Sequence, residues 1–355
     1  MINSLYIHIP FCKNICSYCD FCKMFYNEEK VLLYLDALKE EVIKYYKRDL
    51  LKTIYIGGGT PSSLSYDGLY KLFDIMSLLN IDKDYEFTFE CNIEDIDLGL
   101  LKFLKKNKVN RLSIGIESFN KDILNILGRG YDFSIKEKID LAKKYFNNIN
   151  IDLMFGINGE TIDILESDLE KFIELDVNHI SIYSLILEEH TKLSINKYKE
   201  ISDDISRNMY DKIVSFLEEH GYMQYEISNF SKKGFCSLHN LTYWNNEHYY
   251  GFGLSASGYI SNIRYTNTSS LTNYLNSNYR KVCDTITKNI DMENEMMLGL
   301  RKVEGVNKRK FYNKFGVNIE DYFDVSLLNK NKDYFYIDKN NLYVSNYIIS
   351  NFIDV

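Results

Sequence analysis

The sequence predicts an α/β fold: an incomplete (β/α)6 TIM-like barrel of parallel strands, followed by a smaller C-terminal α+β domain. Three observations lead to this prediction. Short apolar strands alternate with segments of helical spacing up to about residue 220, the connections between them are short, and the alternation stops beyond residue 221. Short connections between neighbouring units favour right-handed crossovers, which curl a parallel sheet into a partial barrel.

Six units of one strand and one helix follow each other along the chain. The strands are predicted at residues 4–9, 53–56, 85–89, 111–116, 149–155 and 179–185. The helices are predicted at about 29–48, 66–79, 95–105, 120–127, 161–175 and 203–219. Because such folds bind ligands at the carboxyl ends of their strands, we expect the functional residues in the loops there.

Domain boundaries follow from the point where this alternation ends. Residues 1–220 are predicted as the barrel and 221–290 as a connecting region. Residues 291–355, which begin in a Glu-rich helix and include a loop at Gly305, are predicted as the small C-terminal domain.

Composition narrows the class of protein. The 355 residues are 45% hydrophobic and 26% charged, as in ordinary folded proteins. A formal net charge of -8 without a basic patch argues against a nucleic-acid partner. The chain lacks a signal-like start and a run of about 20 apolar residues, so we expect a cytoplasmic protein, as a monomer or a dimer.

A loop rich in cysteine follows the first strand. Four of the seven cysteines lie between residues 12 and 22, which suits metal binding better than a disulfide framework. Cys12, Cys16 and Cys19 supply three thiolates, whereas a closed zinc or ferredoxin-type site needs four ligands. One position stays open unless a distant cysteine completes a zinc site. The candidates for that fourth ligand are Cys91, Cys236 and Cys283.

The spacing Cys-x3-Cys-x2-Cys after a first strand resembles the signature of the radical S-adenosylmethionine (SAM) superfamily. The resemblance implies a 4Fe-4S cluster on Cys12, Cys16 and Cys19, whose fourth iron binds SAM and which an electron donor reduces. Gly57-Gly58-Gly59-Thr60 resembles the family's glycine loop, where missing side chains let the backbone approach SAM. By itself, a glycine triplet is as consistent with an ordinary tight turn.

Further polar residues at strand ends resemble the SAM contacts of the subfamily related to oxygen-independent coproporphyrinogen III oxidase. Carboxylates suit ribose hydroxyls and an ammonium group, and arginine suits a carboxylate, although each could be a solvated loop charge. The family usually has Gln where this chain has Glu117. The resemblance assigns SAM contacts to Tyr6, Phe21, Gly58, Gly59, Thr60, Glu90, Glu117, Arg129 and Asp152, and implies a HemN C-terminal-like second domain.

Two functions share this scaffold within the family. The oxidases resemble Cys-x3-Cys-x2-Cys-x-Cys, but Phe21 stands at the fourth cysteine's place and Cys22 comes one residue late. His239-Asn-Leu-Thr-Tyr-Trp244 resembles the His-Asn-x-x-Tyr-Trp motif of the family's haem chaperones. That resemblance implies haem ligation by His239, because imidazole binds haem iron and aromatic rings pack against a porphyrin.

We therefore expect a haem chaperone that binds a cluster, SAM and haem and passes haem to acceptor haemoproteins, including acceptors at the membrane, where the chain would be peripheral. Whether it is also an enzyme is open. The alternative is an oxygen-independent coproporphyrinogen III oxidase, and a third class is a zinc-stabilised binding protein. Cys22, Cys236 and His248 stay open as further participants in the site.

Overall fold

The computed structural model describes residues 2–353. Its first part contains the six predicted strands with their helices and two further short strands. The strands are β1 (Ser4–Ile9), β2 (Phe11–Cys12), β3 (Met24–Phe25), β4 (Leu51–Gly58), β5 (Ile81–Asn92), β6 (Arg111–Glu117), β7 (Asn148–Phe155) and β8 (His179–Ser184). The helices are α1 (Glu28–Tyr45), α2 (Tyr66–Met76), α3 (Leu98–Lys106), α4 (Lys121–Leu127), α5 (Ile135–Lys143), α6 (Ile162–Glu174), α7 (Lys192–Ile195) and α8 (Asp203–Glu219). The two short strands β2 and β3, the helix α5 and the short helix α7 were not predicted from the sequence.

The region after α8 adds strands to the same sheet. Its elements are β9 (Met223–Glu226), β10 (Asn229–Ser231), α9 (Leu238–Trp244), β11 (Tyr250–Phe252), β12 (Ser257–Ile260), β13 (Ile263–Asn267), α10 (Leu271–Leu275) and β14 (Arg280–Thr285). The nine-stranded sheet has the order β11-β1-β4-β5-β6-β7-β8-β10-β9. From β11 to β8 all neighbours are parallel, which confirms the incomplete barrel, whereas β10 and β9 continue it antiparallel.

Alternation along the strands separates an apolar outer face from a polar interior. In β1, Leu5, Ile7 and Ile9 are fully buried in the core formed with the helices. Because successive side chains point to opposite faces, Tyr6 and His8 face the interior of the barrel. The interior is therefore lined by polar and aromatic groups, and the apolar core lies between sheet and helices.

The C-terminal part has an apolar core of its own. It comprises α11 (Lys288–Gly299), β15 (Val306–Asn307), α12 (Lys308–Phe315), β16 (Asn329–Lys330), β17 (Tyr334–Tyr336) and α13 (Ser345–Ile349). The three short strands pair antiparallel, with β17 in the middle. Met296, Phe311, Phe335 and Phe352 lie in this core, which confirms the smaller α+β domain. None of the helices within residues 2–353 is long and apolar enough to span a membrane.

Glu41 joins α1 to the segment that follows β11. Its fully buried carboxylate accepts hydrogen bonds from the Gly253 N–H at 2.9 Å and the Tyr274 hydroxyl at 2.5 Å. It also accepts from Asn267 Nδ2 at 2.7 Å and from Arg280 Nη1 at 3.2 Å. One buried carboxylate therefore accepts hydrogen bonds from four residues in a distant part of the chain, and Arg280 pairs with its charge.

We expect Glu41→Ala to lower the free energy of unfolding by about 3–5 kcal/mol, because it leaves buried donors and the Arg280 guanidinium without a partner. Urea unfolding followed by circular dichroism measures the effect. Glu40→Ala, at the neighbouring, exposed position, is the control and should change stability by less than about 1 kcal/mol. Equal unfolding midpoints for the two variants would contradict the structural role of Glu41.

Candidate functional site

A cavity of about 420 Å³ opens at the carboxyl ends of the barrel strands. It lies within the size range of ligand sites, roughly 300–1,000 Å³. The cysteine loop and the strand ends meet here. Of the residues singled out from the sequence, those that line the cavity are Cys12, Cys16, Cys19, Phe21, Gly58, Gly59, Thr60, Glu90, Glu117, Arg129 and Asp152.

Backbone contacts at Ser17 hold the cysteine loop from two sides. Its N–H donates to the Leu127 carbonyl at 2.8 Å, and its carbonyl accepts from the Leu193 N–H at 3.0 Å. Gly128 ends α4 with φ of +71°, and a Cβ there would lie 2.5 Å from Ser17 Oγ. Only glycine fits this left-handed position at so close an approach, so the end of α4 fixes the middle of the loop.

The three thiols of the loop are free, and their residues line the cavity. Burial raises the pKa of Cys12 to about 11 and also raises the pKa values of Cys16 and Cys19. Such thiols ionise when a metal takes the place of the proton. Within residues 2–353, no three His, Cys, Asp or Glu side chains converge on one metal ion. In a cluster each thiolate binds a different iron atom, so the three thiols need not converge on one metal position. The three cysteines therefore fit a cluster.

The glycine loop packs against the first cysteine. The Gly59 N–H donates to the Ile9 carbonyl at 2.8 Å, and the Thr60 N–H donates to the Phe11 carbonyl at 2.9 Å. A Cβ at Gly59 would lie 2.9 Å from Cys12 Sγ. A side chain at this position would therefore displace the thiol, which gives the glycine a structural reason beyond the turn itself.

Glu90 lies near the end of β5, beside this loop. Its carboxylate accepts from the Tyr55 hydroxyl at 2.7 Å and from the Gly58 N–H at 2.9 Å. Burial raises the pKa of Glu90 to about 7, against the opposing effect of these two donors. Burial therefore destabilises the charged form of Glu90 near neutral pH, and a cationic ligand group in the cavity would stabilise it.

Glu117 and Arg129 form an ion pair at the next strand end. Glu117 has φ of +64° at a register shift in β6, which is a strained backbone for a residue with a side chain. Arg129 Nη2 donates to Glu117 Oε1 at 2.6 Å. Glu117 Oε2 and Arg129 Nε are buried without a hydrogen-bond partner among the described residues. These two atoms are free to bond to a ligand. Among the features of this site, they give the strongest support for a bound polar cofactor.

Several lining residues were missed in the sequence. Asn150 Nδ2 donates to the predicted contact Asp152 at 2.8 Å, while burial raises the pKa of that carboxyl. Arg111 is almost fully buried, and no carboxylate in the described part of the chain forms an ion pair with it. Alternation along the strands is the signal that could have found these inward positions. The other missed lining residues include Tyr55, Ser181, Tyr183 and Asn240.

Tyr6 does not line this cavity. Its hydroxyl donates to His8 Nδ1 at 3.0 Å, because His8 Nε2 must carry the proton that it donates to the Cys22 carbonyl at 2.7 Å. Tyr6 instead lines a second cavity together with Tyr243 and Trp244. Cys22 contributes its backbone carbonyl to this chain of hydrogen bonds, and its thiol does not line the main cavity either.

His239 lies on α9, outside the lining of the main cavity. The Glu86 carboxylate accepts from the Leu238 and His239 N–H groups, each at 3.0 Å, and fixes the start of the helix. The His239 ring is buried, with Nδ1 2.9 Å from Thr53 Oγ1 and Nε2 2.8 Å from the Tyr243 hydroxyl. Burial, followed by the charge of Arg111, lowers the pKa of His239 to about 3, so the imidazole is neutral.

His248 and Cys236, two of the further candidate participants, have hydrogen-bond partners of their own. His248 donates from Nε2 to the Ser261 carbonyl at 2.6 Å and lines a further cavity near the C-terminal domain. Cys236 is partly buried, with its thiol 3.3 Å from Ser231 Oγ. Neither residue lines the cavity that holds the three loop cysteines.

Comparison with known proteins identifies the family. Residues 6–182 match the Radical SAM superfamily, and residues 286–333 match the HemN C-terminal domain. The heme chaperone HemW of Lactococcus lactis is 41% identical over 90% of this chain and 87% of its own length. The chain belongs to the HemW family. The heme chaperone HemW of Bacillus subtilis is likewise 41% identical, over 91% of this chain and 89% of its own length.

A solved structure shares the fold of this HemW-family chain. Escherichia coli coproporphyrinogen III oxidase, described as a radical SAM enzyme, superimposes with a TM-score of 0.87 over 99% of this chain and 90% of its own. The two sequences are 21% identical, so this likeness shows the fold alone. Membership of the radical SAM superfamily implies a 4Fe-4S cluster and SAM, and the cavity at the strand ends has the thiols and unpaired polar atoms to hold them.

We expect Glu90→Gln to stabilise the ligand-free HemW-family chain at pH 8 but not at pH 5. A carboxyl whose pKa rises from 4.5 to about 7 on folding lowers stability as the pH rises through that interval, by at most about 3 kcal/mol. The glutamine side chain stays neutral and can still pair with Tyr55 and Gly58. Anaerobic urea unfolding at both pH values measures the difference.

The control for this prediction is Glu174→Gln on the exposed side of α6. It removes the same charge without changing a buried group, so its effect should be small and similar at pH 5 and pH 8. A Glu90→Gln variant that behaves like this control would show that folding does not raise the pKa of Glu90.

Proposed function

We propose that the chain is a haem chaperone that binds a 4Fe-4S cluster, SAM and haem and delivers haem to acceptor haemoproteins. The observation that carries the proposal is its 41% identity to proteins named heme chaperone HemW over nine-tenths of the chain. The proposal includes an electron donor for the cluster and acceptors at the membrane.

Cluster and SAM would share the 420 Å³ cavity. Cys12, Cys16 and Cys19 would hold three iron atoms, and the fourth iron would take SAM, to which a reduced cluster supplies an electron. Glu90 favours a cationic group, and Arg129 has an unpaired N–H for an anionic one. The remaining proposed SAM contacts are Tyr6, Phe21, Gly58, Gly59, Thr60, Glu117 and Asp152, of which Tyr6 would need to move from the second cavity.

His239 has the protonation state that a haem ligand needs. The Thr53 hydroxyl donates to Ser4 Oγ at 2.8 Å, so the Nδ1–H of His239 donates to Thr53 and its Nε2 accepts from Tyr243. Histidines that bind metals commonly anchor the second ring N–H in this way. Tyr243 therefore occupies the position of a ligand at Nε2, and its ring must turn away before His239 can bind iron.

Residues in the cysteine loop separate this function from the oxidase. Phe21 lines the cavity at the place where the oxidase pattern has a fourth cysteine, and the Cys22 thiol does not line it. This arrangement favours the chaperone over oxidative decarboxylation of coproporphyrinogen. Anaerobic product formation from coproporphyrinogen would support the oxidase instead.

The cluster assignment predicts which cysteines matter. Cys12→Ser, Cys16→Ser and Cys19→Ser should each lose most of the iron, the labile sulfide and the visible absorption after anaerobic reconstitution. Cys22→Ser, in the same loop but outside the cavity, is the matched control and should keep them. Stoichiometric zinc without sulfide in the unaltered protein would support the zinc-binding alternative and contradict the cluster.

The haem assignment predicts a difference between His239 and Tyr243. Haem titration of the reconstituted protein should give stoichiometric binding that His239→Ala loses. Tyr243→Phe removes the hydroxyl from Nε2 and should hold or raise the affinity, by up to roughly 10-fold, since one neutral hydrogen bond no longer competes. Visible spectra after gel filtration report iron ligation in each variant.

Thermal unfolding of each variant separates loss of a ligand from loss of the fold. His248→Ala is the control imidazole, because it lies outside α9. Loss of haem in His248→Ala with normal binding in a folded His239→Ala variant would assign the iron to His248. If the unaltered protein retains no haem, the chaperone proposal fails and the oxidase becomes the leading function.

A further inference from the structure

A second cavity lies directly beside the motif helix α9. It measures about 330 Å³ and is lined by four aromatic residues, the Arg264 guanidinium and the Glu247 carboxylate, with Asn246, Ser257 and Leu298 completing the lining. We call it the motif groove, and define it by Tyr6, Tyr243, Trp244, Tyr249, Arg264 and Leu298. The Tyr243 ring packs edge-on against Tyr249, with 4.6 Å between the ring centroids, and the pair gives the groove an aromatic wall.

Two N–H donors in the groove's lining residues have no partner. Trp244 Nε1 and Arg264 Nε are buried, and neither finds an acceptor among residues 2–353. An unsatisfied buried donor costs about 1–3 kcal/mol, so such atoms commonly mark a site where another molecule supplies the acceptor. Two of them among the residues that line one cavity indicate a ligand with an anionic or carbonyl oxygen.

Arg264 is held in place without a carboxylate. Its guanidinium lies over the Tyr259 ring at 4.4 Å and donates from Nη2 to Asn246 Oδ1 at 2.9 Å. In the described part of the chain no acidic side chain forms an ion pair with it, whereas Lys302 and Lys314, two of the three lysines that line the neighbouring cavity, are paired with glutamate or aspartate. Arg264 therefore brings both an unpaired charge and an unfilled N–H to the motif groove.

We propose that the motif groove binds a planar aromatic ligand through a carboxylate, with Arg264 and the Trp244 N–H as its anchors. This inference rests on the proposed function, in which the ligand is haem and the carboxylate is a propionate. Arginine suits a carboxylate because its planar fork donates two parallel hydrogen bonds. The aromatic walls supply apolar surface for the edge of the macrocycle.

Tyr243 connects the groove with the iron ligand. One side of this residue lines the groove, and its hydroxyl bonds to His239 Nε2. When Tyr243 turns away, Nε2 becomes accessible from the groove, so a porphyrin anchored by Arg264 could reach the imidazole. The groove would then set the orientation of the ligand, and His239 would bind its iron.

The test combines one substitution with one change in the ligand. Ferric haem and its dimethyl ester, in which both propionates are blocked, are titrated into the reconstituted full-length protein and into Arg264→Met. Quenching of Trp244, the only tryptophan of the chain, and the visible spectrum report binding. Arg309→Met removes a charge outside the groove and is the control.

We expect Arg264→Met to weaken haem binding by roughly 10- to 100-fold, the range for a charged hydrogen bond, and to leave the weaker binding of the ester unchanged. Equal effects of Arg264→Met on haem and ester, or none on either, would overturn the carboxylate anchor while the chaperone proposal stands. If the unaltered protein binds neither compound, the proposed function itself fails. Arg264→Lys keeps the charge and should recover part of the affinity.

Discussion

Buried charge inside the barrel is the constraint on which the rest of the structure depends. Glu90, Glu117 and Asp152 all lie in the interior, where burial raises the pKa of each carboxyl. Arg111 and Arg129 offset part of this charge, but unpaired atoms remain on Glu117 and on both arginines. A sheet closed for stability alone would fill this space with apolar side chains. The interior is thus organised for polar ligands, at a cost in stability that bound ligands would offset.

The cysteine loop depends on the same sheet for its position. Its first cysteine touches the glycine loop after β4, and its middle is bonded to the end of α4 and to α7. The Cys22 carbonyl is bonded to His8 on β1. These contacts from several separate elements place the three cysteines along one cavity. This preorganisation is what a cluster with an open coordination position needs, since fewer protein ligands hold it.

Elements with long and regular patterns of apolar residues could be predicted from the sequence. Six strands and their helices could be predicted because apolar runs and helical spacing persist over whole elements. The strands β9 to β11 have three or four residues each, too few for a periodic signal, and tertiary pairing decides them. The site followed from motifs at strand ends. Inward residues such as Arg111 lie before the strand ends that carry the motifs, and only the alternation of polar and apolar residues along the strand marks them as inward. Tyr6 was assigned to the main cavity, which it does not line.

Tyr6 connects the two cavities through hydrogen bonds. Its ring lines the motif groove, while its hydroxyl donates to His8, which in turn donates to the carbonyl of Cys22 in the cysteine loop. The proton that His8 Nε2 donates to Cys22 leaves Nδ1 as an acceptor, and this tautomer lets the Tyr6 hydroxyl donate to it. A continuous chain of hydrogen bonds thus runs from the lining of the groove to the backbone of the cysteine loop. A sequence motif in the connecting region and a metal motif at the start of the chain meet through two side chains of β1.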